Sequence, residues 1–342
     1  MLVTVQCGHR IFCELRKNGT RGTQTLHHED ATGDLDDMID ETYQRAILSE
    51  AWSPDDSAVL NFNIVPSFSE PPLLSAIEVE MHANGELVYK QKCESGRWVR
   101  RAVQLISQLR EEGSLEADQT AYLCVAAGAD PNGVALDIAS LPGLTIVDGT
   151  LESCGIQALG EGGVAPDRPV LLSGRMIDEI VDWTFEAGEV EIGGATLGKI
   201  VRLPEPLPGT HTRIVTVLST SLLDQRHQGE VNRVSFSPEA LAAAAEIADL
   251  RGQGETVMTV FHSHGFGAAC GNCNQSERCA LTECTKLSCD DYRVIESMFP
   301  SKSTLMPVSG RKLGAPGQRP VLEVHAWRGG KLQPIRYRRY LE

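Results

Sequence analysis

A run of β-branched and apolar residues from Thr256 to Phe261 leads directly into His262-Ser263-His264. A short continuous run of this kind is typical of a buried strand. Side chains alternate across a strand, so the two imidazoles are expected on one face and Ser263 on the other. Two imidazoles at a strand end can bind one metal ion. The fold must then pack a further ligand against that end.

A second segment, Ser288-Cys289-Asp290-Asp291, offers that ligand. Ser288 is expected to cap a helix that runs on to Met298, with Asp291 in its first turn and on the same face as the serine. Asp291 is therefore the candidate third ligand of a zinc ion. Glu191 is the candidate base that takes a proton from a zinc-activated water. Each piece alone is common, because His-x-His pairs occur by coincidence and Ser-x-x-Asp is a frequent helix cap.

Together these residues resemble the JAMM (MPN-type, JAB-domain) zinc metalloproteases, in a bacterial-like form. The family pattern is a glutamate on an early strand, then His-Ser/Thr-His, seven residues and Ser-x-x-Asp. Here the stretch from Glu191 to Gly198 is similar to the glutamate strand, and Val234 to Glu239 is similar to the segment before the histidine strand. The resemblance covers roughly residues 170–342. It implies a cytidine-deaminase-like domain with a mixed sheet flanked by helices.

The resemblance also implies a mechanism. The implied ligands of a catalytic zinc are His262, His264 and Asp291. Glu191 would act as general base and Ser288 would donate a hydrogen bond to the developing oxyanion. The implied reaction is cleavage of a peptide or isopeptide bond after the C-terminus of a ubiquitin-like protein, in deconjugation or precursor processing. Enzymes of the conjugation pathway are further candidate partners.

Two features depart from the family pattern. Residue 265 is Gly where the family commonly has Pro. In addition, 23 residues separate His264 from Ser288, where the family has seven. An insertion of this length leaves Asp290 as an alternative ligand to Asp291, although Asp291 preserves the Ser-x-x-Asp spacing.

The insert, residues 265–287, is rich in cysteine. Five of the ten cysteines lie between positions 270 and 289 and begin with a C-x-x-C. Four thiolates can hold a structural zinc at about 2.3 Å, and metal binding can organise a polar loop that has little to pack. The expected ligands are Cys270, Cys273, Cys279 and Cys284, with Cys289 as an alternate. A redox switch or unpaired thiols are the alternative interpretations. The scattered cysteines are expected to be small core residues: Cys7, Cys13, Cys93, Cys124 and Cys154.

Length and charge limit the remaining classes. A chain of 342 residues with 42% hydrophobic content can form two folded domains. Residues 1–150 hold 11 Lys and Arg against 23 Asp and Glu, an excess that repels nucleic acid. No apolar run reaches 18 residues and the first ten residues lack signal-peptide features, so no membrane partner and a cytoplasmic location are expected.

Composition and periodicity predict two domains. Residues 1–158 are expected to form an α+β domain of unknown function, with substrate or partner recognition as its candidate role. In it, Asn84-Gly85 favours a hairpin turn, and the polar segment from Gly19 to Asp37 is expected to be a loop. Residues 159–169, rich in Gly and Pro, are the expected linker. Residues 170–342 would form the JAMM-like domain.

Two other functions compete with the protease. A scaffold whose MPN-like domain only binds is one, although a scaffold need not retain the full set of candidate ligands, base and oxyanion donor. A related hydrolase that acts on a sulfur-carrier adduct is the other. Composition and spacing do not separate this hydrolase from a protease.

Overall fold

The computed structural model describes residues 3–19, 22–31, 34–66, 74–94, 98–116, 119, 121–134, 144–188, 190–224, 236–264, 287, 289–299, 301–310 and 319–342. Contacts between Cα atoms divide the chain into two units. The first unit comprises 1–47, 51–142 and 328–331, and the second comprises 48–50, 143–327 and 332–342. Each unit combines helices with a β-sheet, in agreement with the expected α+β class.

The first unit contains six strands and two helices within its described residues. The strands are β1 (Val3–Gly19), β2 (Gly22–Asp30), β3 (Ala58–Pro66), β4 (Leu74–Ala83), β5 (Glu86–Glu94) and β6 (Ala121–Val134). The helices are α1 (Asp34–Leu48) and α2 (Val99–Glu111). The sheet order is β2-β1-β3-β4-β5, with β6 paired to β1. Asn84 and Gly85 have φ values of 52° and 83°, which confirms the predicted turn between β4 and β5.

One expectation for the first unit is wrong. Residues 22–30, inside the segment predicted to be a polar loop, form β2 and pair antiparallel with β1. His28 stacks on Phe12, with 5.6 Å between ring centroids. The segment has no run of apolar residues because β2 is an edge strand whose described side chains are exposed or half-buried, and such a strand need not be hydrophobic.

The second unit holds the predicted metal ligands. Its described strands are β7 (Ile146–Asp148), β8 (Ala158–Gly162), β9 (Val170–Ser173), β10 (Gly193–Arg202), β11 (Ile214–Leu223), β12 (Thr256–Ser263), β13 (Leu305–Gly310), β14 (Val321–Arg328), β15 (Lys331–Ile335) and β16 (Arg338–Leu341). Its helices are α3 (Gly174–Ala187), α4 (Pro238–Arg251) and α5 (Cys289–Met298). A 3-10 turn spans Glu152–Cys154.

These strands form one mixed sheet in the order β15-β14-β13-β12-β10-β11-β9-β16-β8, with β7 paired to β10. The pairings of β12 with β13 and of β9 with β11 are parallel, whereas β10 runs antiparallel to both β11 and β12. The histidine strand β12 is thus central. A central strand is held by hydrogen bonds on both edges, which gives its end a well-defined position.

The predicted linker, residues 159–169, lies inside the second unit. Strand β8 pairs antiparallel with β16, and Ala165 bridges to Arg168. Residues 143–327 belong to the second unit as one continuous stretch. Gly and Pro are frequent in linkers but also in short edge strands and their turns, so composition alone does not distinguish the two.

Helices cover both faces of the sheet next to β12. On one face, α3 contributes Met176 and Ile180 to a cluster that contains Phe261, and Trp183 stacks on Phe261 with 6.0 Å between centroids. On the other, Ala244 and Ala248 of α4 pack against β10. Ser237 caps α4, as predicted, by accepting a hydrogen bond from the Ala240 amide at 3.1 Å. Among the described residues, no helix is both long and apolar enough to span a membrane.

Candidate metal centre

The end of β12 presents the predicted histidines. In the antiparallel pairing with β10, His262 lies opposite Gly193 and Phe261 opposite Gly194. The His264 amide donates to Ser309 O of β13 at 2.8 Å, which continues the parallel ladder one residue past β12. The end of β12 that carries the histidines is therefore hydrogen-bonded on both edges. His262, Ser263 and His264 are 0%, 0% and 7% exposed.

Helix α5 brings Asp291 to this strand end. Ile295, one turn further along α5, is fully buried in a cluster with Met306, Val308 and Trp327. That packing anchors the helix on β13 and β14. Asp291 lies in the first turn of α5 and is 8% exposed.

The three side chains converge on one point. The Nε2 atoms of His262 and His264 are 3.0 Å apart. Asp291 places Oδ1 3.1 Å from Nε2 of His262 and Oδ2 3.8 Å from Nε2 of His264. One ligand atom from each residue lies within 4.8 Å of the others, so the group could hold a metal ion.

The separations suit a small tetrahedral ion. Metal bonds of about 2.0–2.1 Å at tetrahedral angles place neighbouring ligand atoms about 3.3 Å apart. The observed 3.0, 3.1 and 3.8 Å bracket that value. Two imidazoles and one carboxylate also leave a fourth position for water, as in catalytic sites.

Charge in the cluster favours an ionised carboxylate. Burial alone would raise the pKa of Asp291, but the charges and hydrogen bonds of His262 and His264 outweigh it and hold the pKa far below its usual range. Two buried imidazole nitrogens that face each other at 3.0 Å require a proton or a cation between them. Nδ1 of His262 is buried and has no hydrogen-bond partner among the described residues. The residues thus fit a metal ion. A cation between them would interact favourably with the nitrogen and oxygen lone pairs that point toward one another.

Glu191, the candidate base, lies two residues before β10 and is half-buried. Its neighbour Ile192 exchanges two hydrogen bonds with Ser263: the Ser263 amide donates to Ile192 O at 2.8 Å, and the Ile192 amide donates to Ser263 Oγ at 3.0 Å. Ile192 is therefore opposite Ser263, and the same register places Glu191 opposite His264. Opposed residues of an antiparallel pair share a face, so Glu191 belongs to the face of the histidines.

Other predicted site residues lie outside the described part of the chain. They are Ser288, the candidate oxyanion donor, and the four expected ligands of the structural zinc, Cys270, Cys273, Cys279 and Cys284. The side chains of Cys289 and Asp290 at the start of α5 are also outside it. Of the scattered cysteines, Cys13, Cys93 and Cys124 are buried, as expected, whereas Cys154 is only partly buried.

Sequence reasoning missed the role of Ser263. The serine was expected only to point away from the histidines, yet its hydroxyl accepts the hydrogen bond of the Ile192 amide. No local pattern carries this information. It depends on the register between β10 and β12, which joins residues 71 positions apart.

Comparison with known proteins adds little to this picture. No protein-family model matches the chain, and no curated protein matches it. Among solved structures, the solution structure of protein DSY2949 from Desulfitobacterium hafniense has 16% sequence identity and a TM-score of 0.32. The match covers 51% of this chain and 94% of that one. Function therefore has to be argued from the residues of the site.

Proposed function

We propose that the second unit is a JAMM-type, zinc-dependent peptidase that cleaves peptide or isopeptide bonds after the C-terminus of a ubiquitin-like protein. The observation that carries the proposal is the convergence of His262, His264 and Asp291 at the end of β12. Asp291 is separated from the histidines by the long insert, so chance clustering of exactly these motif residues is a poor explanation. In this proposal the sheet and its helices have the cytidine-deaminase-like arrangement, and the first unit recognises the modifier or its partner.

The residues divide the chemical work. His262, His264 and Asp291 would hold the zinc ion, which lowers the pKa of a water from 15.7 to about 7 and polarises the scissile carbonyl. Glu191, on the same face, accepts the proton of the attacking water and passes it to the leaving amine. Ser288 is proposed to donate a hydrogen bond to the oxyanion. The burial of His262 and His264 places these ligands in a region of low dielectric constant, where their interactions with a metal ion would be stronger than in water.

The insert and the compartment belong to the same proposal. Cys270, Cys273, Cys279 and Cys284 are proposed to bind a second, structural zinc that organises the loop next to the active site. The ten cysteines suit a reducing compartment, where thiols and metal ligands are more common than disulfides, and we place the protein in the cytoplasm.

The test combines metal analysis with cleavage of a ubiquitin-like modifier fused to a reporter through its C-terminal glycine. Wild-type protein should contain two zinc ions and cleave the fusion. Glu191→Gln should retain both ions and lose about 10²–10⁴-fold in kcat, the usual contribution of a general base. Glu186→Gln, an exposed glutamate on α3 of the same unit, is the matched control and should behave like wild type.

Four outcomes would reject the proposal. Full cleavage by Glu191→Gln would show that Glu191 is not the base. Full cleavage by the metal-free protein would show that the reaction does not need zinc. Tight binding of the modifier without cleavage of any fusion would support the scaffold. Hydrolysis of a sulfur-carrier adduct in preference to every protein fusion would move the substrate to the competing class.

A further inference from the structure

The contact between Ser263 and Ile192 is unusual for a sheet. Opposed residues of an antiparallel hydrogen-bonded pair normally exchange two backbone N–H···O bonds. Here the Ser263 amide donates to Ile192 O at 2.8 Å, but the Ile192 amide donates to the serine hydroxyl, at 3.0 Å, and not to a backbone carbonyl. Ser263 is fully buried, so its hydroxyl is shielded from bulk water.

This contact lies where β10 begins. Regular pairing of β10 with β12 starts at Gly193 and His262. The segment before Gly193, which carries Glu191, contacts β12 through the hydrogen bonds between Ile192 and Ser263. On the other edge of β12, the His264 amide is held by Ser309 O at 2.8 Å. The backbone of the histidines is therefore fixed by β13, and the hydroxyl of Ser263 fixes the approach of β10 to it.

We propose that Ser263 is a positioning residue, whose hydroxyl binds the Ile192 amide and so holds Glu191 opposite His264 in the strand register. The inference rests on the proposed function, since it assigns Glu191 the base. Loss of the hydroxyl leaves the Ile192 amide without its acceptor on β12, and the segment that carries Glu191 then shifts or frays. A displacement of about 1 Å at a reacting group can lower kcat about 100-fold. The metal ligands themselves stay on β12 and α5, so the metal affinity should be retained.

The first test needs no substrate. Amide hydrogen exchange of Ile192 is followed by NMR in the zinc-loaded full-length protein, with the Ile200 amide, further along β10, as internal reference. Ser263→Ala should speed exchange at Ile192 about tenfold while Ile200 changes little. Ser263→Thr, which keeps the hydroxyl, should restore the protection. If Ser263→Ala does not fold, Ser263→Cys, close in volume but a weak acceptor, takes its place. Unchanged exchange at Ile192 in the variant without the hydroxyl would overturn the proposal.

The second test asks whether Ser263 acts through Glu191. Cleavage of the modifier fusion is compared in wild type, Ser263→Ala, Glu191→Gln and the double variant, with zinc content measured in each. Ser263→Ala should lower kcat about 10–100-fold with little change in KM, and Ser263→Thr should recover most of the loss. In the Glu191→Gln background the same alanine substitution should cost less than about threefold, because no base remains to be positioned.

The outcomes separate the two claims. Equal losses from Ser263→Ala in both backgrounds would refute the positioning role and leave the protease intact. Loss of zinc in Ser263→Ala would likewise refute it, since the serine would then support the metal ligands. If wild type cleaves no fusion, the proposed function fails, and hydrogen exchange at Ile192 still decides whether the hydroxyl locks the start of β10.

Discussion

Gly194 is a position at which a single added methyl group should strongly destabilise the second unit. It lies on β10, between β11 and β12, and is opposite Phe261. A Cβ atom built there would be 2.0 Å from Leu222 O and 2.8 Å from Cε1 of Phe261. Leu222 O belongs to the backbone and cannot rotate away. Phe261 is fully buried and stacked on Trp183, so its ring has no free space to enter.

The size of the effect follows from these distances. Carbon and carbonyl oxygen normally approach no closer than about 3.3 Å, so β10 and β11 would have to separate locally by about 1.3 Å in Gly194→Ala. Overpacking costs about 1–3 kcal/mol in most cores, and a clash with fixed backbone belongs at the upper end. A loss of about 3 kcal/mol corresponds to a fall of about 6–12 °C in Tm for a unit of this size.

Thermal denaturation followed by circular dichroism measures this change in the full-length protein. Gly252→Ala is the matched control: Gly252 ends α4 with a φ of +63° and has nothing within 4 Å of a built Cβ. It should lose about 1 kcal/mol, from backbone strain alone. If Gly194→Ala loses no more than Gly252→Ala, close approach of the strands does not explain the glycine, and the reasoning is refuted.

Three further predictions test the site and its supports. Adding zinc to the metal-free protein, at about 100 times the Kd for zinc, should stabilise the second unit by about 2.7 kcal/mol in a thermal melt. Asp291→Asn should remove most of this gain. An equal gain in the variant would exclude Asp291 as a ligand. Burial alone would raise the pKa of Glu50, but hydrogen bonds from the Arg213 amide and guanidinium outweigh burial and lower this pKa. The interaction between Glu50 and Arg213 therefore stabilises the fold above about pH 4.3, and this stabilisation is lost as the pH falls through the lowered pKa. Urea titrations should therefore show Glu50→Gln to be less stable than wild type at pH 7 by about 1.5 kcal/mol, and this difference should shrink as the pH falls below about 4.3; a difference independent of pH would contradict this. Ser237→Ala should cost about 1 kcal/mol in the same titration, because the Ala240 amide loses its cap, and no loss would show that the cap is dispensable.

Much of the local structure follows from patterns within short windows. The apolar run before His262 predicts β12, Ser237 and Pro238 predict the start of α4, and Asn84-Gly85 predicts the hairpin of β4 and β5; all three are confirmed. These elements are predictable because the signal lies in adjacent residues: a cap, a turn conformation or a continuous buried run. Strand β2 and the short β8 were missed because edge strands carry a weak hydrophobic signal.

The amino-acid sequence by itself determined which side chains are available to the site: two histidines that alternate with Ser263 at a strand end, and Asp291 near the start of a helix. Only the tertiary structure decided that Asp291 lies beside both imidazoles and that the Ile192 amide binds the hydroxyl of Ser263. The physical reason is distance along the chain. Ligand chemistry and strand alternation are local properties, whereas the register of β10 on β12 and the packing of α5 on β13 are set by hydrogen bonds and buried contacts between remote segments.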